Sequence, residues 1–269
     1  MKRVAFALSV CALTGFAQMS SAQHPHPHQY PHPHHQARSD EAIDNRAMSA
    51  LTAMNDYLRT LKVFRLTSES SKDEIVDTDM KVQKNASSVM SVVLPDRLHA
   101  RVHGDDRSFE FFYNGQSLTV FTSNKNVYAS TPAPPTVRRM LDATRARHGI
   151  ELPLADFIQM AAGEDFQQSI TGAGYIGTSR IAGVDCHHLA IRQADVDWQV
   201  WIENSQTPVP RKLVITTKTD PTQPQYMATL AWELAPRIDD SLFSFTPPPT
   251  AARIMFSRAK DREQTPTKP

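Results

Sequence analysis

The chain has 269 residues, with 29 lysines and arginines against 28 aspartates and glutamates, 11 histidines and two cysteines. So even a charge balance excludes the electrostatic footprint of a nucleic-acid-binding protein. No apolar run reaches the roughly 18 residues that a membrane-spanning helix needs, so stable membrane insertion is not expected.

Met1-Lys2-Arg3 is a short basic start, followed by an apolar run from Val4 to Phe16 and then by Ser20-Ser21-Ala22. That is the three-part pattern of a secretory signal, so residues 1–22 are expected to be removed after Ala22 on export. Loss of Lys2 and Arg3 leaves 27 basic and 28 acidic residues, and Cys186 as the remaining cysteine. An exported chain without an internal disulfide must be held by its core.

Residues 23–38 carry His24, His26, His28, His32, His34 and His35, spaced by prolines. Proline removes backbone donors and blocks helix, so this stretch is expected to be an extended, disordered tail. Alternating imidazoles make these six histidines candidate ligands for Zn²⁺, Cu²⁺ or Ni²⁺.

The folded part is expected over residues 39–257. Ser39 or Asp40 can cap a first helix, in which Ala47, Leu51, Met54, Leu58 and Leu61 fall at helical spacing;. From Val63 the period changes to two. Strands are expected over Val63–Ser70, Ile75–Lys84, Val89–Leu94, Arg97–Val102, Phe109–Tyr113 and Leu118–Thr122;. Asn114-Gly115 is the strongest hairpin signal.

Thr131-Pro132-Ala133-Pro134-Pro135 breaks the sheet. Thr136 then caps a helix carrying Val137, Met140, Leu141 and Thr144, ended by Gly149;. A second short helix is expected from Pro153, with Leu154, Phe157, Ile158 and Ala161. Four more strands follow at Cys186–Arg192, Trp198–Glu203, Arg211–Lys218 and Tyr226–Glu233. Their connections are too short for helical crossovers, so the pairing is expected to be antiparallel. Residues 258–269 are polar and charged and read as a disordered tail. The fold class is therefore mainly β with α. A large curved antiparallel sheet is covered on one face by an N-terminal helix and a helical insert.

Gly172-Ala173-Gly174-Tyr175-Ile176-Gly177 matches a dinucleotide fingerprint, but no helix has room to open before Gly183;. The segment reads as a glycine-loosened strand, and no other motif calls for a cofactor. Asp185-Cys186-His187-His188 resembles a metal cluster, yet adjacent strand residues point to opposite faces, so His187 and His188 cannot share an ion;. Cys186 and His188 would need His99 or His103 from another strand to complete a zinc site. Cys186 as a nucleophile would need an accessible, electropositive setting, whereas Leu189 and Ile191 mark a core strand. No serine-hydrolase elbow is present, and no carboxylate pair is marked by spacing.

Trp198, Trp201 and Trp232 with Phe109, Phe111, Phe112 and Tyr113 form an aromatic set that can fill a core or line a cavity;. The candidate ligand-binding residues are Met140, Leu141, Leu154, Phe157 and Ile158 on the lid helices and Phe111, Tyr113, Trp198 and Trp232 on the sheet.

The stretch Cys186-His187-His188-Leu189-Ala190, then Asp197-Trp198-Gln199-Val200-Trp201-Ile202, then Pro210-Arg211-Lys212-Leu213-Val214-Ile215 resembles domain of unknown function 2092. Pro95-Asp96-Arg97-Leu98, Tyr113-Asn114-Gly115 and Leu152-Pro153-Leu154-Ala155-Asp156 fit the same family of predicted periplasmic bacterial proteins. The family is similar to the periplasmic lipoprotein-carrier (LolA/LolB-like) superfamily. That likeness implies a half-barrel whose mouth is covered by helices, with space for acyl chains beneath. The expected function is an exported, non-enzymatic protein that binds a hydrophobic small molecule, acyl chain or lipidated partner between sheet and lid. The alternatives are a metal-handling protein using the histidine tail and an unrecognised hydrolase.

Overall fold

The computed structural model describes residues 43–76 and 80–256. The export signal, the six tail histidines and the C-terminal tail from residue 258 lie outside the described residues.

The first helix, α1 (Asn45–Thr60), buries Ala47, Leu51, Met54 and Leu58 completely. Its cap is Asp44, whose carboxylate accepts from the Arg46 amide at 2.7 Å; the expected cap at Ser39 or Asp40 is corrected accordingly. Asp44 also receives the Tyr175 amide, and its own N–H donates to the Ala173 carbonyl, so the helix starts where it meets the sheet.

Among the described residues twelve strands form one open sheet: β1 (Val63–Ile75), β2 (Lys81–Val93), β3 (Arg97–Gly104), β4 (Ser108–Tyr113), β5 (Ser117–Thr122), β6 (Val127–Pro132), β7 (Gly172–Ile181), β8 (Val184–Arg192), β9 (Val196–Glu203), β10 (Pro210–Thr217), β11 (Gln225–Leu234) and β12 (Ala252–Arg253). The order across the sheet is β12-β6-β5-β4-β3-β2-β1-β11-β10-β9-β8-β7. Every pairing is antiparallel except that of the short β12 with β6. The first long strand thus closes against the eleventh, joining an N-terminal and a C-terminal run of hairpins.

Two expected strands, Ile75–Lys84 and Val89–Leu94, are replaced by one. Ile75 instead ends β1 and pairs with Lys81 of β2, and β2 runs unbroken to Val93. Lys72 to Lys84 is mostly polar, so no alternation there marks where one strand stops and the next begins;. The Asn114-Gly115 turn is present, with the Asn114 carboxamide oxygen accepting from the Gln116 and Ser117 amides at 3.1 and 3.0 Å. The glycine-rich segment forms β7, with a bulge between Tyr175 and Gly177.

Two helices interrupt the strands. In α2 (Val137–His148), Thr136 accepts from the Arg139 amide at the start, and Gly149 at φ 59 ends it by donating to the Arg145 carbonyl. Only glycine adopts that left-handed cap without steric cost. α3 (Ala155–Ala161) starts two residues later than expected, because Leu154 sits at φ 57 outside the helix. Removing the Thr136 hydroxyl leaves an orphan amide at the α2 start. Thr136→Ala is expected to lower stability by about 1 kcal/mol in urea denaturation.

The faces of the sheet are packed differently. Leu66, Met90, Ala100, Leu189, Val200 and Leu230 belong to one core cluster beneath the helices. On the opposite face, the chain after β11 packs back over β3–β6. There Phe243 is buried, and the Phe245 ring lies 5.1, 5.5 and 5.1 Å from Phe112, Phe121 and Tyr128.

Candidate functional site

A cavity of about 270 Å³ lies between the inner face of the sheet and the pair α2–α3. One flank is β3, β4 and β5, through Leu98, Phe111 and Leu118; the other is β9 and β10, through Trp198, Leu213 and Ile215. β3 and β10 are separated by three strands. A flat sheet would hold them roughly 19 Å apart at about 4.8 Å per strand. Both flanks are nevertheless on the wall of the one cavity, which therefore reaches across the middle of the sheet beneath the helices.

The roof exists because of two local decisions. Thr136 starts α2 after a proline-rich break, and its helical period turns Met140, Leu141 and Thr144 inward. Gly149 then ends α2, and the connection 150–154 folds Leu152 and Leu154 under the lid before α3 presents Phe157 and Met160.

Six sequence-predicted residues meet on the cavity wall: Met140, Leu141, Leu154, Phe157, Phe111 and Trp198. Three lie elsewhere. Ile158 is fully buried in the core. Tyr113 is fully buried, and its hydroxyl donates to the Pro134 carbonyl at 2.5 Å. Trp232 is partly buried: it packs 5.5 Å from Phe64 and 6.4 Å from the cavity-wall residue Phe157, and donates its indole N–H to the Pro210 carbonyl at 2.8 Å. Of the remaining aromatic set, Phe112 and Trp201 point to the outer face.

The polar wall was missed in the sequence. Lys72 from β1, Tyr226 from β11, Asp156 from α3, and Glu151 with Arg145 all reach the cavity. Lys72 and Tyr226 are directly opposite each other across the β1–β11 pair. The Tyr226 hydroxyl is buried without a well-aligned hydrogen-bond partner among the described residues, and burial pushes its pKa up to about 12. The Ser70 hydroxyl near it is turned to the Ala86 carbonyl, to which it donates at 3.0 Å. Asp156 as a residue is only partly buried, but its carboxyl is withdrawn from water. Desolvation raises its pKa to about 6, against the opposing pull of Arg145. Glu151 is also raised by burial; it pairs with Arg145 at 3.0 Å. The one available signal was the sequence 152–156, where an aspartate follows an apolar run into a short helix.

Cys186 and His188 do not line the cavity beneath the lid. Cys186 is fully buried in a small outer-face cluster with Trp201 and Val214, and burial pushes its thiol up, away from the reactive thiolate;. His188 stacks on Trp201 at 4.0 Å and donates to Gln199, while His187 faces the other way, toward the Tyr175 hydroxyl at 2.9 Å. Among the described residues no group of three or more histidine, cysteine, aspartate or glutamate side chains could hold a metal ion. His99, proposed as a third ligand, is instead bonded to Glu110 at 2.9 Å on β4.

The family model DUF2092, described as a predicted periplasmic protein, matches residues 47–257. No functionally curated protein matches the sequence. Among solved structures, LprF from Mycobacterium bovis is 13% identical with a TM-score of 0.44, covering 78% of this chain and 99% of its own. The Mycobacterium tuberculosis lipoprotein LppX is 11% identical with a TM-score of 0.42, over 73% and 100%. A LolA superfamily protein from Nitrosomonas europaea is 11% identical with a TM-score of 0.35, over 74% and 97%. No helix among the described residues is long and apolar enough to cross a membrane.

Proposed function

Given that the chain belongs to the DUF2092 family of predicted periplasmic proteins, we propose that it is a non-enzymatic periplasmic protein. In this reading it binds a hydrophobic molecule, such as an acyl chain or lipidated partner, between sheet and lid. The observation that carries the reading is the cavity itself. A core normally packs to the density of an organic crystal, yet here about 270 Å³ stays open among leucines, methionines and aromatic rings. Leaving such a space unfilled forfeits dispersion contacts, and a ligand restores them. Concave, mostly apolar pockets with a few polar groups are where small molecules bind. Asp156 is a strongly shifted acid, but no histidine, cysteine or serine stands on the cavity wall to act with it among the described residues.

A hydrophobic fluorescent probe is expected to bind at one saturable site and to be displaced by a fatty-acyl compound. Native mass spectrometry of the protein taken from its own periplasm should show a retained lipid. Linear, non-saturable probe uptake with no displaceable fraction would remove the basis for this reading.

A further inference from the structure

The cavity has two chemically different ends. Leu98 stands level with Phe64 through Val92, whereas Lys72 lies eight residues further along β1. That is on the order of 25 Å at about 3.3 Å per residue. The space is therefore a slot along the strands. Its apolar end is made by Leu98, Leu118 and Phe111, near the starts of β3 and β5 and the middle of β4. Its polar end is made where β1 runs out and β11 begins.

Three groups at the polar end come from three different elements. The Lys72 ammonium is in no ion pair within 4 Å among the described residues, its charge acting on nearby Glu151, and the buried Tyr226 hydroxyl has only the Ser70 hydroxyl beside it, without good hydrogen-bond geometry. Asp156, on α3, makes no ion pair at all among the described residues, while Glu151 is held by Arg145 at 3.0 Å. A buried hydroxyl without a well-aligned acceptor is costly, and a ligand oxygen would supply one.

We propose that the ligand is a single-chain amphiphile with an anionic headgroup. Its chain runs along the slot toward Leu98 and Leu118, and its headgroup is held by the Lys72 ammonium and the Tyr226 hydroxyl. The proposal rests on the hydrophobic-ligand reading above and narrows it. Both groups donate, and a carboxylate or phosphate supplies only acceptors, so the complement is chemical as well as electrostatic. The volume argues for one chain. At about 270 Å³ the slot is at the low end of the roughly 300–1,000 Å³ typical of small-molecule sites;.

Asp156 makes the capture depend on pH. The charged groups acting on it are Arg145 from α2, Glu151 from the connection and Glu164 beyond α3; the neutral Tyr226 phenol faces it from the sheet, and Lys72 acts on the neighbouring Glu151. Below its raised pKa the neutral acid can donate to the headgroup. Above it a second negative charge opposes the anion, so affinity falls as pH rises through that point.

The test uses four twelve-carbon ligands below their micelle concentrations: dodecanoate, dodecyl phosphate, dodecanol and dodecyltrimethylammonium. Each displaces the fluorescent probe from the exported chain at pH 5.5 and 7.5. The two anions should bind about 10-fold tighter than the alcohol at pH 5.5, with the preference shrinking at pH 7.5 in the wild type but not in Asp156→Asn. Dodecanoate and dodecyl phosphate separate a fatty-acid source from a phosphate-headed one. Lys72→Gln should bring the anions to the alcohol's affinity, and Tyr226→Phe should do so in part. Equal binding of all four, or tighter binding of the ammonium, overturns the anionic assignment while leaving a chain-binding cavity. Binding of none overturns both readings.

Discussion

Replacing Ala155 with tryptophan is expected to weaken binding of an acyl ligand about 100-fold while leaving the fold in place. Ala155 is the first residue of α3, is only partly buried, and lines the cavity. An indole there would occupy the slot rather than displace core atoms. Each methylene a ligand buries contributes about 0.8 kcal/mol. Excluding roughly four of them removes about 3 kcal/mol, which is about two orders of magnitude in affinity. Met140 and Phe157 are poorer probes, since both are almost fully buried and a charge at either would disrupt the core itself;. The measurement is probe displacement alongside far-ultraviolet circular dichroism. Undiminished affinity in a folded Ala155→Trp variant would place the ligand elsewhere.

Replacing Asp156 with asparagine should flatten part of the protein's pH–stability profile. The acid's folded-state pKa of about 6 stands above its ordinary value of 3.8. Between those values the unfolded chain has released the proton and the folded one has not. The unfolded state therefore binds fewer protons, and stability falls as pH rises through this window. The loss approaches about 3 kcal/mol above pH 6, since each tenfold change in proton affinity is worth roughly 1.36 kcal/mol. Asparagine has no charge to desolvate, so the difference between wild type and variant should be small at pH 4 and largest near pH 7. His99, held neutral by burial, and Glu110, lowered by its bonds to His99 and Arg101 against its own burial, act in the opposite sense. Both are common to the two proteins and cancel in the comparison. Urea titrations at pH 4, 5, 6 and 7 measure the difference directly. A difference that does not change with pH would show that Asp156 titrates alike in the folded and unfolded chains.

The face of each helix was legible because its period is local. Ala47, Leu51, Met54 and Leu58 are spaced to bury one stripe, and all four are fully buried. Met140, Leu141 and Thr144 are likewise turned inward, between the Thr136 cap and the Gly149 stop. Strands with clear alternation were equally legible: Trp198, Val200 and Ile202 all face the core. The boundary of β1 and β2 was not, because their outer halves carry polar residues on both faces. Trp232 and Tyr113 were expected at a ligand site and lie off the cavity wall, one partly and one fully buried. An aromatic ring fills either role, and only its neighbours decide which.

The cavity's polar end shows where local pattern stops being informative. Lys72 and Tyr226 are far apart in the chain and meet because β1 pairs with β11. Asp156 differs from any other acid in a short helix only by what is packed around it. The sequence alone determined which residues face inward, because side-chain direction follows from the backbone period of one segment. Only the tertiary structure decided whether the inward faces close completely. A void is the difference between surfaces contributed by distant segments, and no single segment carries that information.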